Sequence, residues 1–184
     1  QPARMEIATL ENEKKEITLP DGSTVWLNEN SSLTYLKDFE QRQVQLAGEA
    51  FFDVERMETS PFTITSGEAT TTVLGTSFNV KQDDHNPVVE VFVKTGKVEV
   101  SGSGTDALLS LEPGAIGYSD GQTMSQAKQE NLNYLSWKTK EFIFVDQSLP
   151  VILETLENAY HVEIVTGKKN IKDLRLTSTY MQQS

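Results

Sequence analysis

Between Leu46 and Val80 the chain reads LAGEAFFDVERMETSPFTITSGEATTTVLGTSFNV, and apolar and polar side chains alternate through it with a period of two. Successive side chains of a strand point to opposite faces, so this alternation predicts half-buried β-strands and argues against helix. In a first block Ala50, Phe52 and Val54 face one way, while Glu49, Phe51, Asp53 and Glu55 face the other. In a second, Phe62 and Ile64 alternate with Thr63 and Thr65 after Pro61. In a third, Leu74, Thr76, Phe78 and Val80 are expected to share a face, with Gly75 marking a bulge or a close backbone approach.

The same grammar extends in both directions. Residues 1–13 are polar and acidic and predict an arm or an edge strand. Ile17 and Leu19 lead into Pro20-Asp21-Gly22, a turn in which Pro presets φ and Gly supplies a positive one. Val25 and Leu27, alternating with Thr24 and Trp26, complete a hairpin, and Leu33, Tyr35 and Phe39 return to the core. Downstream of a polar loop over 82–87, Val89, Val91 and Val93 alternate with Glu90, Phe92 and Lys94, and Val98 and Val100 follow Gly96. Residues 101–105 (SGSGT) read as a hairpin loop, and no Lys-Ser or Lys-Thr pair opens a helix after them as a phosphate loop requires. Leu109, Leu111, Ile116 and Tyr118 continue the strands, and Asp120-Gly121 signals a further hairpin before Met124. Short antiparallel strands at this spacing predict a mainly β domain over residues 1–126, either a β-sandwich or a short β-solenoid.

After Gln126 the alternation stops, and 127–140 reads as a linker. Phe142 and Phe144 predict a strand. Ser148 is placed as an N-cap with Pro150 in the first turn, and Leu149, Ile152, Leu153, Leu156 and Tyr160 form the apolar stripe of an amphipathic helix. Val162, Ile164 and Thr166 predict a following strand, and Leu174, Leu176 and Tyr180 a last one. The pentapeptides Phe144-Val145-Asp146-Gln147-Ser148 and Tyr180-Met181-Gln182-Gln183-Ser184 are alike, which predicts a βαβ unit and the start of a second. Residues 141–184 are therefore expected to form a small, truncated α+β domain of βαβ type.

The totals exclude several functions. A net charge of −11 disfavours nucleic acid and anionic membrane surfaces, both of which need clustered Lys and Arg. With no cysteine there is no disulfide, no thiolate metal site and no cysteine nucleophile. His85 and His161 are 76 residues apart and lack any metal-binding spacing, and His161 suits a helix C-terminus. Glu49, Asp53 and Glu55 share a strand face, which reads as a solvated face rather than an acid–base pair. Asp83 and Asp84 lack the alternating oxygen ligands of a calcium loop, and no Gly-x-Ser-x-Gly elbow occurs. No catalytic residue, metal site or cofactor is expected.

GEAFFDV, SPFTI and LGTSFNV, in that order and spacing, resemble the FecR family. Residues 17–35 are similar to its opening strands, Gly96-Lys97-Val98 and Leu111-Glu112-Pro113-Gly114 to its later ones. Trp137, Phe142-Ile143-Phe144 and the run from Leu149 to Tyr160 resemble its C-terminal domain, itself similar to the short secretin/TonB signalling domain. The resemblance implies the periplasmic region of a membrane-anchored anti-sigma regulator. The anchoring helix and the sigma-binding segment would both lie upstream. The implied partners are the N-terminal signalling domain of an outer-membrane TonB-dependent transducer and, through the absent cytoplasmic segment, an extracytoplasmic-function sigma factor. Leu174, Leu176 and Tyr180 are the expected partner contacts, on an exposed sheet edge.

Trp26, Phe51 and Phe92 lie on faces opposite those assigned to the core. They are expected to pack under a second layer. An exposed aromatic stripe would instead favour the alternative reading, a glycan-binding β-sandwich module.

Overall fold

The computed structural model describes residues 3–82, 86–167 and 171–181. Half of the expected loop over 82–87, namely Asp83, Asp84 and His85, falls outside them, as do the last three residues of the second pentapeptide. The chain divides into two compact units, Gln1–Gln129 and Glu130–Ser184.

The first unit contains fourteen strands. They are β1 (Arg4–Ala8), β2 (Lys15–Thr18), β3 (Thr24–Leu27), β4 (Ser32–Leu36), β5 (Gln43–Ala47), β6 (Glu49–Asp53) and β7 (Phe62–Ser66), followed by β8 (Ala69–Val73), β9 (Ser77–Gln82), β10 (Val89–Thr95), β11 (Val98–Gly102), β12 (Leu108–Leu111), β13 (Ala115–Ser119) and β14 (Met124–Lys128). One sheet has the order β1-β4-β5-β7-β8-β11-β12, the other β14-β13-β10-β9-β6-β3-β2. They share one core, so the architecture is a β-sandwich. The initial polar stretch supplies β1, an edge strand of the first sheet.

The core follows from the alternation. Ala50 and Phe52 of one sheet and Phe62 and Ile64 of the other are fully buried, and Val54 nearly so. The Phe52 ring stacks on Phe78 at 5.3 Å between centroids and meets Phe62 across the sandwich at 6.2 Å. Burying an aromatic side chain of this size is worth about 1.5–3 kcal/mol, so the three rings anchor the interface between the sheets.

In residues 69–80 one strand had no expectation and one expectation needs correction. Residues 69–73 form β8, although Thr-rich sequence hides the pattern there. Thr76, Phe78 and Val80 are buried as expected, but Leu74 is 41% exposed. The chain breaks between β8 and β9, which resets which side chains face inward. Gly75 sits at that break, where an added Cβ would lie 2.6 Å from Arg56 Cα, so the close backbone approach is the correct explanation.

The turn Pro20-Asp21-Gly22 is tied to distant loops through Arg42, which is 3% exposed. Its Nε donates to Asp21 Oδ2 at 2.8 Å, its Nη1 to the Ser60 carbonyl at 2.5 Å and its Nη2 to the Glu55 carbonyl at 2.7 Å. Ser23 holds the Asp21 carboxylate from the other side through its N–H and its hydroxyl.

The second unit contains α1 (Ser136–Thr139), β15 (Glu141–Ser148), α2 (Leu149–Tyr160) and β16 (Arg175–Met181). Helix α2 begins after Ser148 with Pro150 in its first turn, as expected, though the Ser148 hydroxyl makes no capping bond. His161 closes it in the left-handed region at φ 52°, its N–H donating to the Glu157 carbonyl. The strand expected over Val162, Ile164 and Thr166 does not form. The Ile164 N–H instead donates to Glu157 Oε1 at 2.6 Å, so a helix side chain takes the place of a neighbouring strand. The observed order is strand, helix, strand, with β15 and β16 antiparallel.

Candidate functional site

In the second unit, β15 and β16 pair in register from Glu141↔Met181 to Phe144↔Ser178, and again at Gln147↔Leu176 and Ser148↔Arg175. The bulge between them is set by Asp146 at φ 45°. Its N–H donates to Thr177 Oγ1 at 2.9 Å, and Arg175 Nε donates to its carboxylate at 2.8 Å. The Arg175 guanidinium also bonds the Asp146 carbonyl.

Helix α2 covers one face of this ribbon. Phe142, Phe144 and Ile152 are buried there, with Leu149, Leu156 and Ala159 packed around them. Phe142 lies between two tyrosines, 5.9 Å from Tyr160 and 6.5 Å from Tyr180. Desolvation, then the neighbouring Tyr180 phenol, pushes the Tyr160 hydroxyl above its ordinary pKa.

Each expected contact residue can now be placed. Tyr180 stands opposite Phe142 and Leu176 opposite Gln147. Both are an even number of residues from Ser178, so all three share the helix-facing side of β16. The helix covers β15 but leaves Tyr180 51% and Leu176 47% exposed. Leu174, 55% exposed, precedes the strand, and its carbonyl accepts the Leu149 N–H at 2.8 Å. Leu176 and Tyr180 therefore belong to one surface, and Leu174 sits at its end.

The two edges of the ribbon differ. Asn133 Nδ2 donates to the Ile143 carbonyl at 3.0 Å, and Asn133 Oδ1 accepts the Ile143 N–H at 2.7 Å. A single carboxamide thus satisfies both outward backbone groups of Ile143, as a neighbouring strand would. Among the described residues no strand pairs with the far edge of β16. Nothing in the sequence singles out Asn133, because the pairing depends on where the linker folds.

The groups considered for chemistry are engaged elsewhere. The Glu49 carboxylate accepts from Asn28 Nδ2 and Asn79 Nδ2, each at 2.9 Å, and Asp53 accepts from Ser77 Oγ at 2.7 Å. Among the described residues no three His, Cys, Asp or Glu side chains gather as a metal site. Trp26 and Phe51 stand opposite each other at 5.9 Å, and Phe51 and Phe92 both stand opposite Asn79. Phe51 is buried and the other two are half-buried, so they form no exposed aromatic platform.

Residues 5–99 match the family model described as FecR protein, and residues 141–184 match that described as FecR, C-terminal. No curated protein matches. Two crystal structures, each described as a candidate anti-sigma factor from Parabacteroides distasonis ATCC 8503, are similar. One is 29% identical, covering 99% of this chain and 86% of its own, with a TM-score of 0.71. The other is 30% identical, covering 98% and 86%, with a TM-score of 0.70. With its sandwich matching the first family model and its helix-backed ribbon the second, the chain belongs to the FecR family.

Proposed function

We propose that the chain is the periplasmic, signal-sensing region of an anti-sigma regulator. It relays the state of an outer-membrane TonB-dependent transducer to an extracytoplasmic-function sigma factor. Family membership and the two similar candidate anti-sigma factors support the regulatory role. No described helix is long and apolar enough to cross a membrane, so in this reading the anchor and the sigma-binding segment belong to chain outside these 184 residues. The rigid sandwich serves as the body of the sensor, and residues 141–184 serve as its contact module.

The observation that carries this placement is the asymmetry of the ribbon. The β15 edge is satisfied at Ile143, whereas among the described residues no strand pairs with the β16 edge, which lies beside exposed Leu176 and Tyr180. Such an edge accepts a partner's strand through main-chain bonds, with neighbouring side chains supplying specificity.

Calorimetric titration against the N-terminal signalling domains of candidate transducers tests it. The outward groups of Ile143 imply that Thr179, opposite it, also points its N–H away from β15. Thr179→Pro removes that donor without removing a β15–β16 bond, and Tyr180→Ala removes the adjacent ring. Both should weaken binding at least about tenfold, the equivalent of ~1.4 kcal/mol. Unchanged binding by both variants would move the contact elsewhere, and absence of binding to any transducer domain would remove the relay itself.

A further inference from the structure

The outer face of the first sheet bears a polar row. Thr34 of β4 stands opposite Gln45 of β5, Gln45 beside Thr65 of β7, and Thr65 opposite Thr70 of β8. Gln43 and Thr63 form the start of a parallel row. Strand spacing sets these side chains about 4.8 Å apart. None of the six hydrogen-bonds through its side chain to another described residue. The row therefore offers hydroxyls and carboxamides, each able to donate and to accept.

A wall turns this face into a cleft. The β4–β5 loop carries two non-glycine residues at positive φ, Phe39 at 49° and Arg42 at 47°. An aromatic residue in that region needs its surroundings to hold it there. Phe39 is buried, edge-on to Tyr35 at 5.5 Å and to Phe62 at 5.9 Å, and Arg42 is fixed by Asp21 and two carbonyls. The loop is thus locked, and between it and the polar row lies a cleft of about 470 Å³. That volume suits a small ligand or a few units of a chain.

The chemistry of the lining narrows the ligand. Asp38 and Glu40 on the wall repel phosphate and carboxylate groups, and among the described residues no three carboxylates or histidines gather there to hold a metal cation. The Arg42 guanidinium points into its own pair and is not offered to a ligand. An extended peptide would seek unpaired backbone, but β4, β5, β7 and β8 are interior strands paired on both sides. A neutral ligand with many hydroxyls fits what remains, because the row of hydroxyls and carboxamides can donate to it and accept from it. We propose that this cleft binds a neutral oligosaccharide, on the sheet opposite the one bearing Trp26, Phe51 and Phe92 and independently of the transducer contact.

Amide-resolved NMR titration of the whole chain with malto-, cello- and chito-oligosaccharides tests it. At least one series should give saturable shifts at Thr34, Gln45, Thr65, Thr70 and 38–41, with a dissociation constant near about 1 mM. Gln45→Ala and Thr65→Val alter exposed or half-exposed side chains outside the core and should each weaken that binding about tenfold. No saturable shift with any series up to about ten times that concentration would overturn the assignment. So would shifts confined to another face, unchanged binding by both variants, or saturation by peptides alone.

Discussion

The Arg42–Asp21 pair joins parts of the sandwich that are far apart in sequence, and its removal has a size that the structure fixes. Arg42→Met keeps the aliphatic stem over Phe62, where the guanidinium carbon now sits 5.5 Å from the ring centroid. It deletes the bond to Asp21 and those to the Ser60 and Glu55 carbonyls. The side chains of Arg42 and Asp21 are 3% and 6% exposed, so water cannot replace the lost partner without opening the loop. Breaking one half of a buried pair costs about 3–5 kcal/mol. The Ser60 and Glu55 carbonyls lose their donors too, but these bonds are only part-buried and water can partly replace them. For a chain of this size the melting temperature should fall by about 10 °C or more. The assay is urea and thermal unfolding of Arg42→Met, Asp21→Leu and the double variant. Replacing both partners removes the uncompensated charge, so the double variant should recover much of the loss, with a coupling energy above about 1.5 kcal/mol. A loss below about 1 kcal/mol for Arg42→Met, or additivity within about 0.5 kcal/mol, would refute the claim that the pair holds the loops together.

Three further outcomes follow. Gly75→Ala places a methyl group 2.6 Å from Arg56 Cα, and backbone cannot move aside as a flexible side chain can, so unfolding should be easier by about 1–3 kcal/mol in denaturant melts. Asn133→Ala exposes the outward backbone of Ile143, so exchange of that amide should quicken while exchange in β3, β6 and β9 stays unchanged. The Asp120 carboxylate accepts from the Thr123 N–H at 2.7 Å, the Gln122 N–H at 2.9 Å and the Thr123 hydroxyl at 2.9 Å, which lowers its pKa. A lowered pKa in the folded state means stabilisation that is present above the unfolded value and lost as pH falls through the folded one. NMR titration should therefore place its midpoint below that of an unfolded aspartate, near about pH 4, and Asp120→Ala should flatten the pH dependence only in that acid range.

What could be read ahead of the structure was the part governed by local rules. Alternation located Phe52, Phe62 and Phe78, because a strand half in the core must bury every second residue. The stripe from Leu149 to Tyr160 located α2, because helical spacing leaves few alternatives. The failures fall where a distant partner decides. Val162, Ile164 and Thr166 alternate, yet no described strand lies beside them, and Glu157 takes the Ile164 amide instead. Alternation also predicted a shared face from Leu74 to Val80, but counting by twos fails across the break at Gly75. Asn133 and the cleft beside Phe39 were illegible for the same reason. One is a side chain imitating a strand, and the other is a wall held by Arg42 against residues 21, 55 and 60.

The choice between sandwich and solenoid was also beyond local pattern, and the strand orders explain why. Both sheets list their strands monotonically along the chain, one rising from β1 to β12 and the other from β2 to β14. The chain therefore advances along the body as in a solenoid, while mostly placing strands two at a time in each face of a sandwich. If every strand reverses direction, neighbours whose numbers differ by an odd count must be antiparallel. That holds for β1–β4, β3–β6, β6–β9, β8–β11 and β10–β13. The exception is β5–β7, which is parallel, because β6 alone crosses to the other sheet between them. This single crossing also brings β7 next to β5, with Arg42 just before β5 and Ser60 just before β7. The buried guanidinium bonds the Ser60 carbonyl, and the Thr63 N–H returns a bond to the Arg42 carbonyl at 3.0 Å. The parallel step and the locked loop are thus two consequences of one irregularity in the winding, and the polar cleft lies beside it.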